Sequence, residues 1–281
     1  MTSKIEWTDE TWNPVTGCTP ISEGCANCYA KRMATRLKGR FGYPADEPFR
    51  VTFHPDRLEV PLHWKKPRHI FVSSMGDLFH KSVEDDWIHS VLSVAISTYY
   101  GYHTYILLTK RPARMMQFSK YFTSSRIWLG VTAENQARAD ERIPILLQIP
   151  AAVRFVSYEP ALGPIDLSQY LPRWEWHYHD PVTNQDVYSD DKIRSAGSSK
   201  IIRYPDDPYI NGIIAGCESG PGRRPAKVQW FRDIKDQCVE AKVPFFLKQA
   251  VMFGGKNGGN FYDKVLSMPI LDGRVWDQVP R

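Results

Sequence analysis

Short apolar runs alternate with longer amphipathic stretches along most of this chain. The short runs are rich in β-branched and aromatic residues, which is typical of buried strands. The predicted strands are Arg50–Phe53, His69–Ser74, Thr104–Thr109, Ile127–Val131, Val153–Ser157, Gly212–Ala215 and Pro244–Leu247. The predicted helices are Trp87–Tyr99, Ala113–Tyr121, Gln136–Leu147 and Val228–Ala241. This alternation predicts an α/β fold whose parallel strands form a partial or complete barrel.

One stretch, residues 167–209, breaks this alternation. It contains the alternating run Trp174–His179, a turn-like segment at 180–184 and a Ser/Gly-rich segment at 195–199. This pattern predicts a hairpin inserted into a single barrel domain that spans residues 1–281. The insertion is either a lid or aromatic platform over the site, or a hairpin that only packs on the barrel. We expect residues 250–281 to form a C-terminal tail.

Polar residues follow nearly every predicted strand. These segments are Met75-Gly76-Asp77, Lys110-Arg111, Thr132-Ala133-Glu134-Asn135, Tyr158-Glu159-Pro160, Gly216-Cys217-Glu218-Ser219 and Lys248-Gln249. Taken singly, such a residue often caps the next helix. Taken together they favour one site, because the carboxyl ends of parallel strands meet at the same edge of a sheet.

Composition and charge limit the kinds of partner and the cellular compartment that we expect for this protein. The 281 residues are 42% hydrophobic and the formal net charge is +5, which favours an anionic partner such as a nucleotide or nucleic acid without requiring one. No signal peptide or membrane-spanning apolar run is recognisable, so we expect a cytoplasmic protein with no membrane partner. Five cysteines are too few and too unevenly spaced for a disulfide framework.

Three of those cysteines, Cys18, Cys25 and Cys28, form a C-x6-C-x2-C motif. Pro14 and Pro20 forbid a continuous helix there, so we predict a loop, followed by a helix from Tyr29. Three thiolates can hold three irons of a [4Fe–4S] cubane and leave the fourth iron open for S-adenosylmethionine. The alternatives are a zinc site, whose fourth ligand is hard to find in the sequence, and a catalytic thiol.

The chain resembles the phage-associated three-cysteine-motif family, which is related to the radical SAM superfamily and nearest to its spore-photoproduct-lyase-like branch. The matching segments are Trp12–Cys18, Gly24–Ala30, Ser73–Phe79, Leu108–Pro112, Gly130–Asn135, Ser157–Pro160 and Ala215–Ser219. The chain departs from the superfamily in two places: three extra residues separate the first two cysteines, and Asn27 stands where an aromatic residue commonly precedes the third.

This resemblance implies a radical SAM barrel in which Cys18, Cys25 and Cys28 hold the cluster. The implied cofactor-binding candidates are Ser73, Ser74, Gly76, Asp77, Thr132, Glu134, Asn135, Glu159, Gly216 and Glu218. Tyr158, Cys217 and Tyr29 are candidate hydrogen donors, and Lys248 is a further catalytic candidate that can hold an anionic group.

The leading functional hypothesis is a radical SAM enzyme that modifies a nucleobase or its substituent, in a nucleotide or in phage DNA, and takes electrons from a reducing donor. One alternative is a zinc-stabilised nucleic-acid-binding module that stacks bases on Trp174, Trp176 and Tyr178. Another is a barrel enzyme of different chemistry with a structural cluster, using Glu134, Glu159 and Glu218 as acids or bases.

Overall fold

Strands and helices alternate in the computed structural model, which describes residues 5–97, 102–172, 174–180, 185–189, 200–203, 208–253 and 263–280. The strands are β1 (Glu10–Trp12), β2 (Val15–Thr16), β3 (Thr52–Phe53), β4 (His69–Val72), β5 (Thr104–Thr109), β6 (Ile127–Thr132), β7 (Val153–Tyr158), β8 (Trp174–Asp180), β9 (Gln185–Ser189), β10 (Lys200–Arg203), β11 (Gly212–Gly216), β12 (Phe245–Phe253), β13 (Asp263–Ser267), β14 (Ile270–Leu271) and β15 (Arg274–Val275). The α-helices are α1 (Tyr29–Arg36), α2 (Asp85–Ile96), α3 (Pro112–Met116), α4 (Gln136–Leu147) and α5 (Val228–Glu240).

The main sheet has eight strands in the order β1-β4-β5-β6-β7-β11-β12-β13. Every neighbouring pair is parallel except β12 and β13, which are antiparallel. In the described part of the chain β1 and β13 are the two edges, so the curled sheet is a partial barrel flanked by helices. The α/β prediction is therefore confirmed in its coarse form.

Both faces of this sheet are covered. The outer face packs against the helices, which contribute Ile88, Ile143 and Phe231 to the larger core. The inner face has its own apolar cluster, comprising Trp7, Phe71, Ile106, Trp128, Val153, Phe155, Ile214 and Phe246. All six residues of β6 are buried, as expected for a central parallel strand covered on both sides.

Arg50–Phe53 is not a strand of the barrel, contrary to our prediction. Only Thr52–Phe53 is extended, and it pairs antiparallel with β2 in a separate two-stranded ribbon. Pro55 ends this strand because proline has no amide hydrogen to donate and begins a 3-10 turn here. The first strand of the sheet is β1, which pairs with β4.

The insertion contains the predicted hairpin. β8 and β9 pair antiparallel, and β10 adds a third strand beside β8. The segments 181–184 and 195–199, predicted as a turn and a Ser/Gly-rich segment, lie outside the described residues. The stretch 250–281, expected as a tail, supplies the end of β12 and the antiparallel strand β13.

Among the helices, α4 has the predicted bounds, and α2 begins at Asp85, two residues before the prediction. The predicted helix Ala113–Tyr121 is instead the short helix α3 followed by a 3-10 turn at Ser119–Tyr121. None of the helices in the described ranges has the length and apolarity that crossing a bilayer requires.

Candidate functional site

The cysteine loop, residues 17–28, connects β2 to α1 at the carboxyl ends of the parallel strands. The Gly17 amide donates to the Met75 carbonyl over 2.9 Å, and Gly17 forms a parallel bridge with Gly76 just after β4. Gly17 has φ +87°, and a Cβ there would lie 2.2 Å from the Arg50 carbonyl oxygen. Only glycine therefore lets the loop begin this close to the backbone of Arg50.

Cys18, Cys25 and Cys28 are free thiols that line one cavity of about 450 Å³. Cys25 ends a 3-10 turn and Cys28 lies directly before α1, so the local backbone differs at each sulfur. In the described ranges, no three His, Cys, Asp or Glu side chains are gathered closely enough to hold a metal ion. The thiols thus share a cavity, and Cys18 and Cys25 are held by different local hydrogen bonds.

Arg111, which follows β5, connects the cysteine loop to the carboxyl ends of the strands, which we call the rim of the sheet. Its Nη1 donates to Asp77 Oδ2 over 2.8 Å and to Cys18 Sγ over 3.4 Å. Its Nη2 donates to the Thr19 carbonyl over 2.9 Å. One guanidinium therefore positions Cys18, the next residue and the carboxylate after β4 together.

The thiols of Cys18 and Cys25 have different proton affinities. Burial, reinforced by the nearby Asp77 carboxylate, raises the pKa of Cys18 to about 11, although Arg111 opposes this. Burial would also raise the pKa of Cys25, but backbone hydrogen bonds from Ile21 and Ser22 outweigh it and the pKa is lowered. Backbone amides directed at a sulfur stabilise the thiolate, the form that binds metals.

The Glu134 side chain contacts the cysteine loop and holds it in place. Its carboxylate lies 3.1 Å from Lys110 Nζ and accepts hydrogen bonds from Arg142 at 2.8 Å and Ser22 Oγ at 2.5 Å. A Cβ at Gly24 would lie 2.3 Å from Glu134 Oε1, so the loop rests directly on this carboxylate. Burial would raise the pKa of Glu134, but the two cations outweigh it and the pKa is lowered, which keeps the carboxylate ionised.

Two further ion pairs lie on the other half of the rim. Glu159 Oε1 is 3.1 Å from Lys248 Nζ, and Glu218 accepts hydrogen bonds from the Arg224 side chain. Asn27 of the cysteine loop donates to Glu218 over 2.8 Å. Burial would raise the pKa of Glu218, but the Arg224 hydrogen bonds outweigh it and lower the pKa. Glu134 and Glu218 are thus held ionised by paired cations, which makes them poor proton donors.

Most of the predicted site residues line the cavity. They are Cys18, Cys25, Cys28, Ser73, Ser74, Gly76, Asp77, Thr132, Glu159, Cys217, Glu218 and Lys248. The predicted residues outside its lining are Tyr158, Glu134, Asn135 and Gly216. Glu134 still touches the loop, and Gly216 leaves room for Glu159, whose Oε1 would lie 2.6 Å from a Cβ at that position.

Tyr158 and Asn135 have structural contacts away from the cavity. The Tyr158 ring is buried in the outer core and its hydroxyl donates to the Gly163 carbonyl. Asn135 is the N-cap of α4, and its side-chain oxygen accepts from the Arg138 amide over 3.1 Å. The capping interpretation of post-strand residues therefore holds for Asn135.

Neither Cys217 nor His80 is placed like a fourth metal ligand. Cys217 reaches the cavity wall, but the residue is buried in the outer core. His80 is near the loop, and its two ring nitrogens contact Thr19 Oγ1 at 2.7 Å and the Ser82 amide at 3.0 Å. Among the described cysteines and histidines near the cavity, the candidate metal ligands are therefore the three thiols of the loop.

Sequence reasoning missed the apolar wall of the cavity. Trp7, Phe71 and Leu108 line it, and the Trp7 and Phe71 rings lie 5.0 Å apart. Trp7 lies before the first strand, where the sequence carries no periodic signal for the inner face. The buried Ser73 Oγ in the same lining has no hydrogen-bond partner among the described residues, so a polar group remains available to a ligand.

Comparison with known proteins gives a family but no activity. No curated protein and no solved structure matches the chain. The chain belongs to the family described as "Protein of unknown function (DUF5131)", whose model matches residues 2–280.

Proposed function

We propose that this protein is a radical SAM enzyme that holds a [4Fe–4S] cluster on Cys18, Cys25 and Cys28. The observation that carries the proposal is that three free thiols from one loop line a single cavity at the carboxyl ends of the strands. Three thiolates suit a cubane with one open iron. When bound, such a cluster supplies the electron that breaks the carbon–sulfur bond of S-adenosylmethionine, releasing methionine and an adenosyl radical that takes a hydrogen atom from the substrate.

The residues around the thiols have distinct roles in this proposal. Arg111 orients Cys18 and offsets the negative charge of a thiolate-bound cluster. Ser73 Oγ, buried and without a partner in the described chain, is a donor for the cofactor. The Glu159–Lys248 pair offers an acceptor and a cation for the ammonium and carboxylate groups of an amino acid.

The wall formed by Trp7, Phe71 and Leu108 suits a flat apolar surface and excludes water from that side of the cavity. An adenine or a substrate nucleobase has such a surface, which supports a nucleobase or its substituent, in a nucleotide or in phage DNA, as the proposed substrate. A separate reducing protein or small molecule supplies the electron.

Zinc is the competing metal, and the donor set does not favour it. A structural zinc site wants four ligands, whereas His80 is engaged through both ring nitrogens and Cys217 is buried in the core. Glu134 and Glu218 are also disfavoured as general acids, because their pKa values are lowered.

The test is the metal content of protein purified without oxygen, followed by incubation with S-adenosylmethionine and dithionite. We expect about four irons and about four sulfides per chain, and release of 5′-deoxyadenosine. The triple variant Cys18→Ala, Cys25→Ala, Cys28→Ala should lose both, while the matched variant Cys238→Ala, on α5, should keep them. One zinc without iron, or a cluster that releases no deoxyadenosine, would overturn the proposal.

A further inference from the structure

Helix α1 and the turn after it carry an uninterrupted positive charge. Between Gly24 and Ala45 the chain has five basic residues and no Asp or Glu. We call the exposed side of this segment the basic surface, and its members are Tyr29, Lys31, Arg32, Met33, Arg36, Lys38, Arg40 and Phe41. The basic side chains form no ion pair with a carboxylate of the described chain.

The other long helices differ from α1 in this respect. On α4, Arg138 pairs with Glu141 at 2.6 Å and with Glu23 at 3.1 Å. On α5, Lys235 pairs with Asp236 and Asp272. Since the cations named on α4 and α5 are matched by carboxylates, the run of unmatched cations on α1 sets this helix apart and attracts anions.

Large apolar side chains lie among these cations. Tyr29, Met33 and Phe41 are 47%, 39% and 69% exposed. The buried residues of α1 are Ala30 and Ala34, so the helix contacts the rest of the fold through small side chains. Aromatic side chains interleaved with unpaired cations are typical of surfaces that bind single-stranded nucleic acid, where bases stack and phosphates pair.

The basic surface is continuous with the mouth of the cavity. Tyr29 and Arg32 line the cavity, and Arg32 Nη2 donates to the Ser219 carbonyl over 2.8 Å at its edge. Arg32 also packs on Gly220, where a Cβ would lie 2.4 Å from Nη1. A strand lying along α1 therefore reaches the cavity beside Cys28 without leaving the positive field.

We propose that the basic surface binds a single strand of DNA or RNA and directs it to the cavity. An anionic membrane fits less well, since Tyr29 and Arg32 line the mouth of the cavity, which a single strand can enter and a flat bilayer cannot. This proposal names a partner for the proposed function. It rests on that function only for the role of the cavity. Binding itself needs no cluster.

The first experiment measures binding of a fluorescently labelled single strand of about 20 nucleotides by anisotropy, between about 50 and about 200 mM salt. The variant is Arg36→Glu with Lys38→Glu. The matched control is Lys65→Glu with Lys66→Glu, which makes the same charge change at exposed residues before β4, at the opposite end of the strands. We expect the variant to bind at least about tenfold more weakly and its salt slope to fall by about 1.4, since two phosphate contacts are lost. The control should bind within about twofold of the parent.

A second pair tests base stacking. Phe41→Ala should weaken binding of the single strand by about fivefold and leave binding of a duplex of the same sequence unchanged. The control is Ile270→Ala, at a comparably exposed apolar residue far along the chain. All variants are checked for an unchanged melting temperature.

Three results would overturn the inference: no binding of the strand by the parent, an equal loss in the charge-reversal control, or binding of phosphatidylserine vesicles in preference to the strand. Both experiments are run on protein with and without iron. Because binding needs no cluster, both forms should bind the strand equally. Protein that binds the strand through α1 but holds no iron when purified without oxygen would contradict the radical proposal and support this inference, so failures of the two are distinguishable.

Discussion

The two halves of the rim make different contacts with the cysteine loop. On the half formed by β4 to β6, Arg111 contacts Cys18 and Glu134 lies under Gly24, and the Glu134 and Arg142 side chains are 0% and 1% exposed. On the half formed by β7 to β12, Lys248 and Arg224 are 25% and 34% exposed, and among the described residues this half holds the loop through Asn27 alone. The first half holds the loop in place, whereas the second half leaves its two cations, Lys248 and Arg224, partly accessible.

Because of this difference, we expect the first half of the rim to determine stability and the second half to determine ligand binding. A buried ion pair that loses one partner leaves an uncompensated charge, which costs several kcal/mol, whereas an exposed pair contributes little. Substitutions on the first half should therefore destabilise the protein and the cysteine loop. Substitutions on the second half should affect ligands and leave the fold intact.

The largest expected effect is that of Glu134→Gln. It should destabilise the protein by about 3 kcal/mol in urea unfolding, because Arg142 and Lys110 lose their counter-charge. The control Glu141→Gln, at an exposed carboxylate on the neighbouring helix, should change stability by less than about 0.5 kcal/mol. Equal effects would remove the distinction between buried and exposed pairs.

The same variant gives a pH test. Since the pKa of Glu134 is lowered in the folded protein, its stabilisation is complete above the unfolded value of about 4.3 and is lost as the pH falls further. The stability difference between parent and Glu134→Gln should thus be constant from about pH 5 to about pH 7 and shrink only in more acidic solution. A difference that already shrinks near neutral pH would contradict the lowered pKa.

The second effect is that of Arg111→Gln. It breaks the pair with Asp77 and should cost about 2 kcal/mol of stability. Loss of a hydrogen bond and a positive charge beside Cys18 should also lower the midpoint potential of the proposed cluster by about 40 mV or more, which an EPR-monitored redox titration measures. Arg114→Gln, at a cation on α3 that pairs with Asp85, should leave the potential unchanged.

The third prediction concerns Asn135, which lies between β6 and α4. Asn135→Ala should cost about 1 kcal/mol in thermal unfolding, because α4 loses its N-cap. Asn135→Ser should recover most of that loss, since serine caps equally well. If the alanine variant instead weakened S-adenosylmethionine binding and serine did not restore it, Asn135 would be a ligand-binding residue.

The smallest effect on stability is expected at Lys248. Lys248→Met should change stability by less than about 1 kcal/mol and keep the iron content, because the pair with Glu159 is partly exposed. It should nevertheless reduce S-adenosylmethionine binding, measured by equilibrium dialysis. The control Lys227→Met, at an exposed lysine before α5, should reduce neither.

The central strands and the cysteine loop were predictable from the sequence for a physical reason. β5, β6 and β7 carry continuous apolar runs because both of their faces are covered, and α4 carries the apolar spacing of a helix that packs on the sheet. β1 has only three residues, two of them polar, so its position beside β4 depends on tertiary contacts. Phe53 looked like part of a barrel strand because local pattern does not reveal which strand is its partner.

Side-chain direction explains the main difference between the predicted and the observed site residues. Along β7 successive residues point to opposite faces, so Ser157 and Glu159 line the cavity while Tyr158 packs among the helices. The strand end was predicted, but the inward-facing member of each pair was not assigned. Trp7 could not be predicted at the cavity, because its position depends on packing against Phe71 and Phe155 across the inner face.

The two ends of the described chain meet on the inner face, and this affects synthesis. Ser267 of β13 donates to Glu6, which lines the cavity beside Trp7, and the Gln278 amide bonds the Phe245 carbonyl. A ribosome releases the chain from the amino end, so the contact of Glu6 with Ser267 forms only after residue 267 has been synthesised. We expect the proposed cluster to be assembled after this contact has formed.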